Sequence, residues 1–211
     1  LTTVSTAQAQ SFCASDGQPR PVQIMERFIN ANCSSCWADP ATPLSGDGEI
    51  TLDWVMPGSA GDEAPLSAVA SRDALARLQA LGLPMPAQAS SHTQPVRRLK
   101  GATLRVSHGL PVNNYLGASI ELKPIPAAAR NQHWTAWLAL VETLPAGAEG
   151  SPVERNLVRN LLQTAWDGRK KRLATEQNRF FDVRAMNIAP GATPSRLRVM
   201  GWVENGQGQV L

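Results

Sequence analysis

Hydrophobic and polar positions in the first half of the chain predict strands that alternate with helices. Residues 22–29 alternate weakly and predict a strand, and the apolar run at 50–56 predicts a second one. Apolar side chains recur at helical spacing from Leu66 to Leu81, and Gly82 follows as a helix stop. With a further helix between the two strands, this order predicts an α/β unit that contains a parallel strand pair.

The second half of the chain is predicted to be mostly strands. Residues 115–122 alternate and predict a half-buried strand, whereas the near-continuous apolar run at 134–141 is typical of a central strand. Residues 154–166 carry apolar side chains at helical spacing and predict a helix. The segments 196–204 and 209–211 flank an Asn-Gly-Gln-Gly turn and predict a closing hairpin.

Composition and charge exclude several classes of protein. The chain is 43% hydrophobic and 18% charged, which excludes a disordered charged tail. No run of about eighteen apolar residues occurs, so we expect no transmembrane segment. The net charge is +3, and most of the basic residues lie beyond residue 66. The basic cluster at 169–172 lacks interleaved aromatic residues and a binding motif, so it predicts a solvated surface and no nucleic-acid partner.

The N-terminal residues resemble the end of a secretory signal. Ala7-Gln8-Ala9 has the small-x-small pattern of a cleavage site, so residues 1–19 are predicted to be a signal-peptide remnant and a flexible arm. The alternative is an ordinary frayed terminus. The expected localisation is periplasmic or secreted, which agrees with the use of cysteine.

The three cysteines are the main chemical signal. Cys33 and Cys36 form a Cys-x-x-Cys, and the third is Cys13. Haem attachment needs a histidine where Trp37 stands, structural zinc needs a second pair of ligands, and an iron–sulfur cluster needs four thiolates. We therefore predict no metal and no cofactor, a Cys33–Cys36 bridge and a free Cys13. The alternative is a bond from Cys13 to one of the other two sulfurs.

Short motifs in this order resemble a bacterial family. Glu26-Arg27-Phe28, followed by the segments 32–36 and 38–39, resembles the opening of the domain of unknown function 1223 family. Three later segments resemble other family segments in type and order: 134–141, 156–168 and 198–211. The resemblance extends from about residue 20 to the end of the chain. It implies a secreted, thioredoxin-like protein, and the family itself has no defined function.

The resemblance and the element pattern together give the expected fold class, α/β. A thioredoxin-like unit is expected at 20–105, followed by a mostly β C-terminal subdomain at 106–211 that packs on it. A thioredoxin-like site also needs a cis-proline that faces the dithiol. Pro95 is the first candidate for it, and Pro84 and Pro86 are the alternatives.

The expected site contains Cys33, Cys36, Glu26 and the cis-proline. At the start of a helix Cys33 would be the exposed, attacking thiolate, and Cys36, one turn inward, would be the buried resolving thiol. Pro40 and Pro43 require that helix to be short or kinked. Glu26, on the preceding strand, would be a proton acceptor beneath the dithiol, or else a structural carboxylate that pairs with a base.

Three classes of function follow from these residues. The first is an exported thiol–disulfide oxidoreductase whose partners are thiol-containing envelope proteins. The second is a non-catalytic thioredoxin-like scaffold or binding protein with a structural disulfide. The third is a thiol-dependent metal handler or chaperone, which needs a histidine or methionine near the Cys-x-x-Cys.

Overall fold

The computed structural model describes residues 13–170 and 178–211. The strands are β1 Cys13–Ala14, β2 Gln23–Asn30, β3 Glu49–Met56, β4 Ala89–Pro95, β5 Thr103–Val112, β6 Tyr115–Lys123, β7 His133–Leu144, β8 Arg155–Asp167, β9 Phe180–Asn187 and β10 Leu197–Glu204. The α-helices are α1 Ser34–Trp37 and α2 Arg72–Ala80. Short 3-10 turns lie at Gly61–Glu63, Ser67–Val69, Ala127–Ala129, Ala148–Gly150 and Pro194–Arg196.

The strands form two sheets. The larger sheet has the order β10-β7-β8-β3-β2-β4, in which β2 pairs in parallel with β3 and β3 pairs in parallel with β8. Its other pairs are antiparallel. The smaller sheet has the order β1-β5-β6-β9 and is antiparallel.

The expected fold class, an α/β thioredoxin-like unit followed by a β-rich half, is wrong. The described residues are mostly strands, and their two α-helices contain four and nine residues. The link from β2 to β3 contains Pro40 and Pro43, which leave room for only one turn of helix. Two helices this short cannot cover both faces of a six-stranded sheet. A second sheet therefore covers much of one face.

The predicted helix at 154–166 is also wrong, because this segment is β8. Its register with β7 shifts at the pairs Leu140–Asn160 and Val141–Val158, so Arg159 is the extra residue of a bulge. Both faces of β8 are covered, and apolar side chains on either side of the bulge pack on both. A bulge between apolar pairs reproduces the three- and four-residue spacing that also predicts a helix.

Other predicted elements are confirmed. The strands expected at 22–29 and 50–56 are β2 and β3, which pair in parallel as predicted. The alternating segment at 115–122 is β6, and the apolar run at 134–141 lies in β7, with a neighbour on each side. A helix occurs within the predicted region 66–81 as α2, which Ser71 caps through a bond from the N–H of Asp73.

The large sheet joins the two predicted units. Strands β2, β3 and β4 come from 20–105 and β7, β8 and β10 from 106–211, and the predicted boundary falls inside β5. Within the predicted N-terminal arm, β1 adds an edge to the smaller sheet.

The Ala7-Gln8-Ala9 site and the second half of the basic cluster, Lys171 and Arg172, lie outside the described residues. Within the described part, no helix is long and apolar enough to cross a membrane.

Each face of the large sheet buries its own side chains. On one face, α2 packs Ala74 and Leu78 against Phe28, Leu52 and Trp54. On the other face the smaller sheet covers β7 and β10 with a core that includes Ile120 and Leu138. Beside that core, a smaller cluster surrounds Trp37 of α1.

Arg77 of α2 holds distant strands of the large sheet together. Its guanidinium contacts Glu26 on β2 at 2.6 Å and Glu204 on β10 at 2.8 Å, and all three side chains are buried. It also lies over the rings of Trp137 and Trp202, at 4.8 and 5.1 Å. In a flat sheet these strands, four positions apart, would be separated by roughly 19 Å. The sheet must therefore curl around α2.

The two sheets pack closely at Gly201 of β10. A Cβ there would lie 2.7 Å from Cγ2 of Val106, so Gly201→Val is expected to lower the free energy of unfolding by about 1–3 kcal/mol through overpacking. Gly117→Val is the matched control, because a Cβ at Gly117 meets no atom within 4 Å. Chemical denaturation of both variants measures the difference, and equal effects would contradict this packing.

A second prediction concerns Asp73 in the first turn of α2. Burial raises the pKa of Asp73, although its Oδ2 accepts the N–H of Leu161 at 2.9 Å. Between the ordinary pKa of 3.8 and the raised one, the folded chain binds more protons than the unfolded chain, so stability falls as pH rises through that window.

Asp73→Asn removes this titration. Its free energy of unfolding, measured relative to the original chain, should therefore rise from acidic to neutral pH. Asp62→Asn, at an exposed carboxylate, is the control. A constant difference for Asp73→Asn across this range would show that burial does not act on Asp73.

Candidate functional site

The Cys-x-x-Cys lies at the carboxyl end of β2, where the chain leaves the sheet. Cys33 and Cys36 are joined by a disulfide with their Cα atoms 5.3 Å apart, and Cys13 is free and exposed, as predicted. Cys33 is the N-cap of α1, which has four residues, so the expectation of a short helix is confirmed. The site thus begins where β2 ends, beside the carboxyl end of its parallel neighbour β3.

Two polar groups surround the sulfur of Cys33. The N–H of Cys36 donates to Cys33 Sγ at 3.3 Å, and Ser35 Oγ lies 3.4 Å from the same sulfur. Cys33 is only 7% exposed, whereas Cys36 is partly exposed. The order of exposure is thus the reverse of the one expected.

Trp37 anchors α1 to the large sheet. Its side chain is buried with Ile29 and Val55 of the sheet, and its Nε1 donates to the carbonyl of Glu149 at 2.9 Å. Cys36 packs against the same cluster. The polar side of α1, Ser34 and Ser35, remains exposed.

Arg155, the first residue of β8, holds the carboxyl end of α1. Its Nη2 donates to the carbonyl of Trp37 at 2.8 Å and to that of Cys36 at 3.4 Å. The guanidinium also lies 5.0 Å from the centre of the Trp37 ring. Burial lowers the pKa of Arg155 from its ordinary value, while Asp53 opposes this shift. The buried guanidinium of Arg155 thus lies against the end of the disulfide segment, at Cys36 and Trp37.

Asp53 of β3 organises the charges beneath α1. Its carboxylate accepts two bonds from Arg27, at 2.9 and 2.7 Å, one from Arg155 at 3.1 Å and one from the N–H of Asn156 at 2.8 Å. Arg27 also donates to the carbonyl of Pro43 at 2.6 Å, which ties down the loop after α1. Two guanidinium groups thus meet one carboxylate, which leaves a net positive charge.

The residue before the disulfide is fixed by close packing. Asn32 donates through Nδ2 to Ser59 Oγ at 2.8 Å, and its Oδ1 accepts the N–H of Ala60 at 3.3 Å. A Cβ at Gly58 would lie 2.2 Å from Asn32 Oδ1, so only glycine allows this approach. The exposed edge around Cys33 is therefore built from two loops.

The structure does not bring Glu26 to the disulfide. Alternate residues of β2 point to opposite faces, so Glu26 lies on the face that α2 covers, while Arg27 and Ile29 lie on the face of Trp37. The side chain of Glu26 pairs with Arg77 instead. This placement corresponds to the structural alternative named for Glu26, a carboxylate paired with a base.

Pro95 lies far from the cysteines. It is the last residue of β4 and pairs with Gln23, at the start of β2, whereas Cys33 follows the end of β2. The structure has a cis peptide bond at Lys123–Pro124 and not at Pro95. Neither Glu26 nor Pro95 therefore contacts the disulfide.

Sequence reasoning did not identify Arg27, Asp53 and Arg155. Arg27 and Asp53 are charged residues within apolar strands, and this pattern is a local signal for buried ion pairs. Arg155 carries no such signal, because its contact with Trp37 joins residues 118 positions apart.

Comparisons with known proteins give one distant structural neighbour and no family. No protein-family model matches this chain, and no curated protein matches it either. Among solved structures, HBP35 of Porphyromonas gingivalis has a TM-score of 0.47 and 12% sequence identity. The alignment covers 89% of this chain and 70% of that one.

The anchoring role of Arg155 predicts a local effect of its loss. Arg155→Met leaves the carbonyls of α1 without their donor and removes one partner of Asp53, so the free energy of unfolding should fall by about 3 kcal/mol. Amide hydrogen exchange at residues 34–38 should also become faster, by more than the global loss of stability explains.

Arg159→Met is the matched control on the same strand. It breaks the buried pair with Glu142, 2.7 Å long, and within the described residues neither side chain of this pair bonds to α1. Hydrogen exchange measured by mass spectrometry separates the two variants. Equal acceleration at 34–38 in both would show that Arg155 does not anchor α1 specifically.

Proposed function

We propose that this chain is an exported thiol–disulfide oxidoreductase that exchanges its Cys33–Cys36 disulfide with cysteines of other envelope proteins. The observation that carries the proposal is the environment of the Cys33 sulfur, with the N–H of Cys36 at 3.3 Å and Ser35 Oγ at 3.4 Å. Hydrogen bonds to a charged group favour its charged form, so these donors favour a thiolate released at Cys33.

A purely structural role explains the bridge less well. The disulfide closes a loop of four residues, which on the chain-entropy model contributes at most about 2 kcal/mol. Arg155 and the buried Trp37 already hold the same segment in place. The disulfide therefore adds little to the stability of this segment. Because Cys36 is also partly exposed, thiol–disulfide exchange explains the bridge better.

The exposures of the two cysteine residues suggest their roles in exchange. A partner thiolate attacks the sulfur of Cys36, the more exposed residue, the Cys33–Cys36 bond breaks, and Cys33 leaves as a thiolate. A second partner thiolate then attacks the partner's sulfur in the mixed disulfide and releases Cys36. Two electrons pass from the partner dithiol to the pair, which ends reduced while the partner gains a disulfide.

Three observations support a place outside the cytoplasm. A disulfide between Cys33 and Cys36 is typical of an oxidising compartment. Ala7-Gln8-Ala9 has the pattern of a signal cleavage site. The motifs also resemble the domain of unknown function 1223 family, whose members are secreted. Together these favour the periplasm or secretion.

Single-cysteine variants test both the function and the roles. Every variant carries Cys13→Ser, because Cys13 is free and exposed. With glutathione disulfide, Cys33→Ser should form a mixed disulfide at the accessible Cys36, and Cys36→Ser should react more slowly at the buried Cys33. Mass spectrometry of alkylated peptides measures both rates.

Two results would contradict the proposal. Faster reaction of Cys36→Ser would reverse the assigned roles. If neither variant reacts faster than a peptide thiol and the original bridge does not exchange with reduced glutathione, the disulfide is structural and the chain is a scaffold.

A further inference from the structure

A cleft of about 460 Å³ opens at the other end of the fold from the disulfide. Its walls come from both sheets and include Ile24 of β2, Leu52 of β3, Leu104 and Val106 of β5, and Val199 and Trp202 of β10. Ile24 lies near the start of β2 and Cys33 beyond its end, roughly 20 Å away along the strand. The volume is within the range of small-molecule sites, about 300–1,000 Å³.

The walls of the cleft are mainly apolar, and part of them is open to solvent. Ile50, Leu99, Leu104 and Val199 all line it and are only half-buried, whereas other apolar wall residues, among them Leu52 and Trp202, are buried. Small-molecule sites typically have mainly apolar walls with a few polar groups that orient the ligand. The walls therefore suit the hydrocarbon part of a ligand.

The rim of the cleft carries an unbalanced positive charge. The segment 15–21 forms one side of the opening, and within it Asp16 pairs with Arg105 at 2.8 Å. Arg20 lies in the same segment, is exposed, and makes no hydrogen bond or ion pair with the parts of the chain at 13–170 and 178–211. Arg20 is thus placed to meet an anion at the mouth of an apolar site.

We propose that this cleft binds a small amphiphilic carboxylate of the medium-chain fatty-acid type. Its hydrocarbon body lies between β5 and β10, and its carboxylate meets Arg20 at the rim. Apolar walls select the body, and the single unpaired guanidinium selects the sign of the headgroup. This inference does not depend on the redox role of the cysteines, since neither cysteine lines the cleft.

Dodecanoate is the probe, used below its aggregation concentration. We expect saturable binding at one site per chain, measured by calorimetry. Arg20→Glu should weaken dodecanoate binding roughly fivefold and leave dodecanol binding unchanged. The control is Arg130→Glu, an exposed arginine outside the cleft, which should change neither.

Leu104→Trp fills the cleft and should abolish binding of both probes. Leu110→Trp is its control on the same strand, because Leu110 is 60% exposed and lies outside the cleft. If Leu104→Trp does not fold, as judged by circular dichroism, Val199→Phe blocks the cleft from the side of β10.

Four results would overturn the inference. The first is the absence of saturable dodecanoate binding to the original chain. The second is unchanged binding to a folded variant with a filled cleft. The third is equal affinity for dodecyltrimethylammonium, which would remove the role of the rim charge. The fourth is a concentration-dependent dimer that Leu104→Trp abolishes, which would make a second copy of the chain the occupant.

Discussion

Arg77 is the contact on which the shape of the large sheet depends. One guanidinium meets carboxylates from strands four positions apart and lies over two indole rings. Burial alone would lower the pKa of Arg77, but its contacts with Glu26 and Glu204 raise it. Removing the cation would leave two buried carboxylates without a positive charge to balance them, so the ion pairs favour the curled sheet.

Two adjacent residues of β2 connect this network to the one beneath the disulfide. Glu26 points to the α2 face and joins a cluster of two carboxylates and one guanidinium. Arg27 points to the opposite face and joins a cluster of two guanidinium groups and one carboxylate. The clusters have net charges of opposite sign on the two sides of one strand. Each therefore lowers the electrostatic cost of burying the other.

Local patterns predicted much of the sheet and less of the site. The alternation in β2 and β6 reports burial on one face or both, which is a local property that a sequence displays directly. In β8 the bulge at Arg159 changes the spacing of apolar residues to the three- and four-residue repeat of a helix, so the sequence pattern predicted a helix there. The Cys-x-x-Cys and its bridge follow from spacing, whereas Arg155 reaches α1 only after the whole sheet has formed.

The parallel pairing of β3 with β8 also sets an order of events during synthesis. Asp53 pairs in register with Leu157, which lies 104 residues further along the chain, so this contact has a high contact order and forms late. The cysteines leave the ribosome, and enter any oxidising compartment, well before Arg155 does. Oxidation can therefore join them while the segment is still an open loop, and the anchored helix then assembles around a bond that already exists.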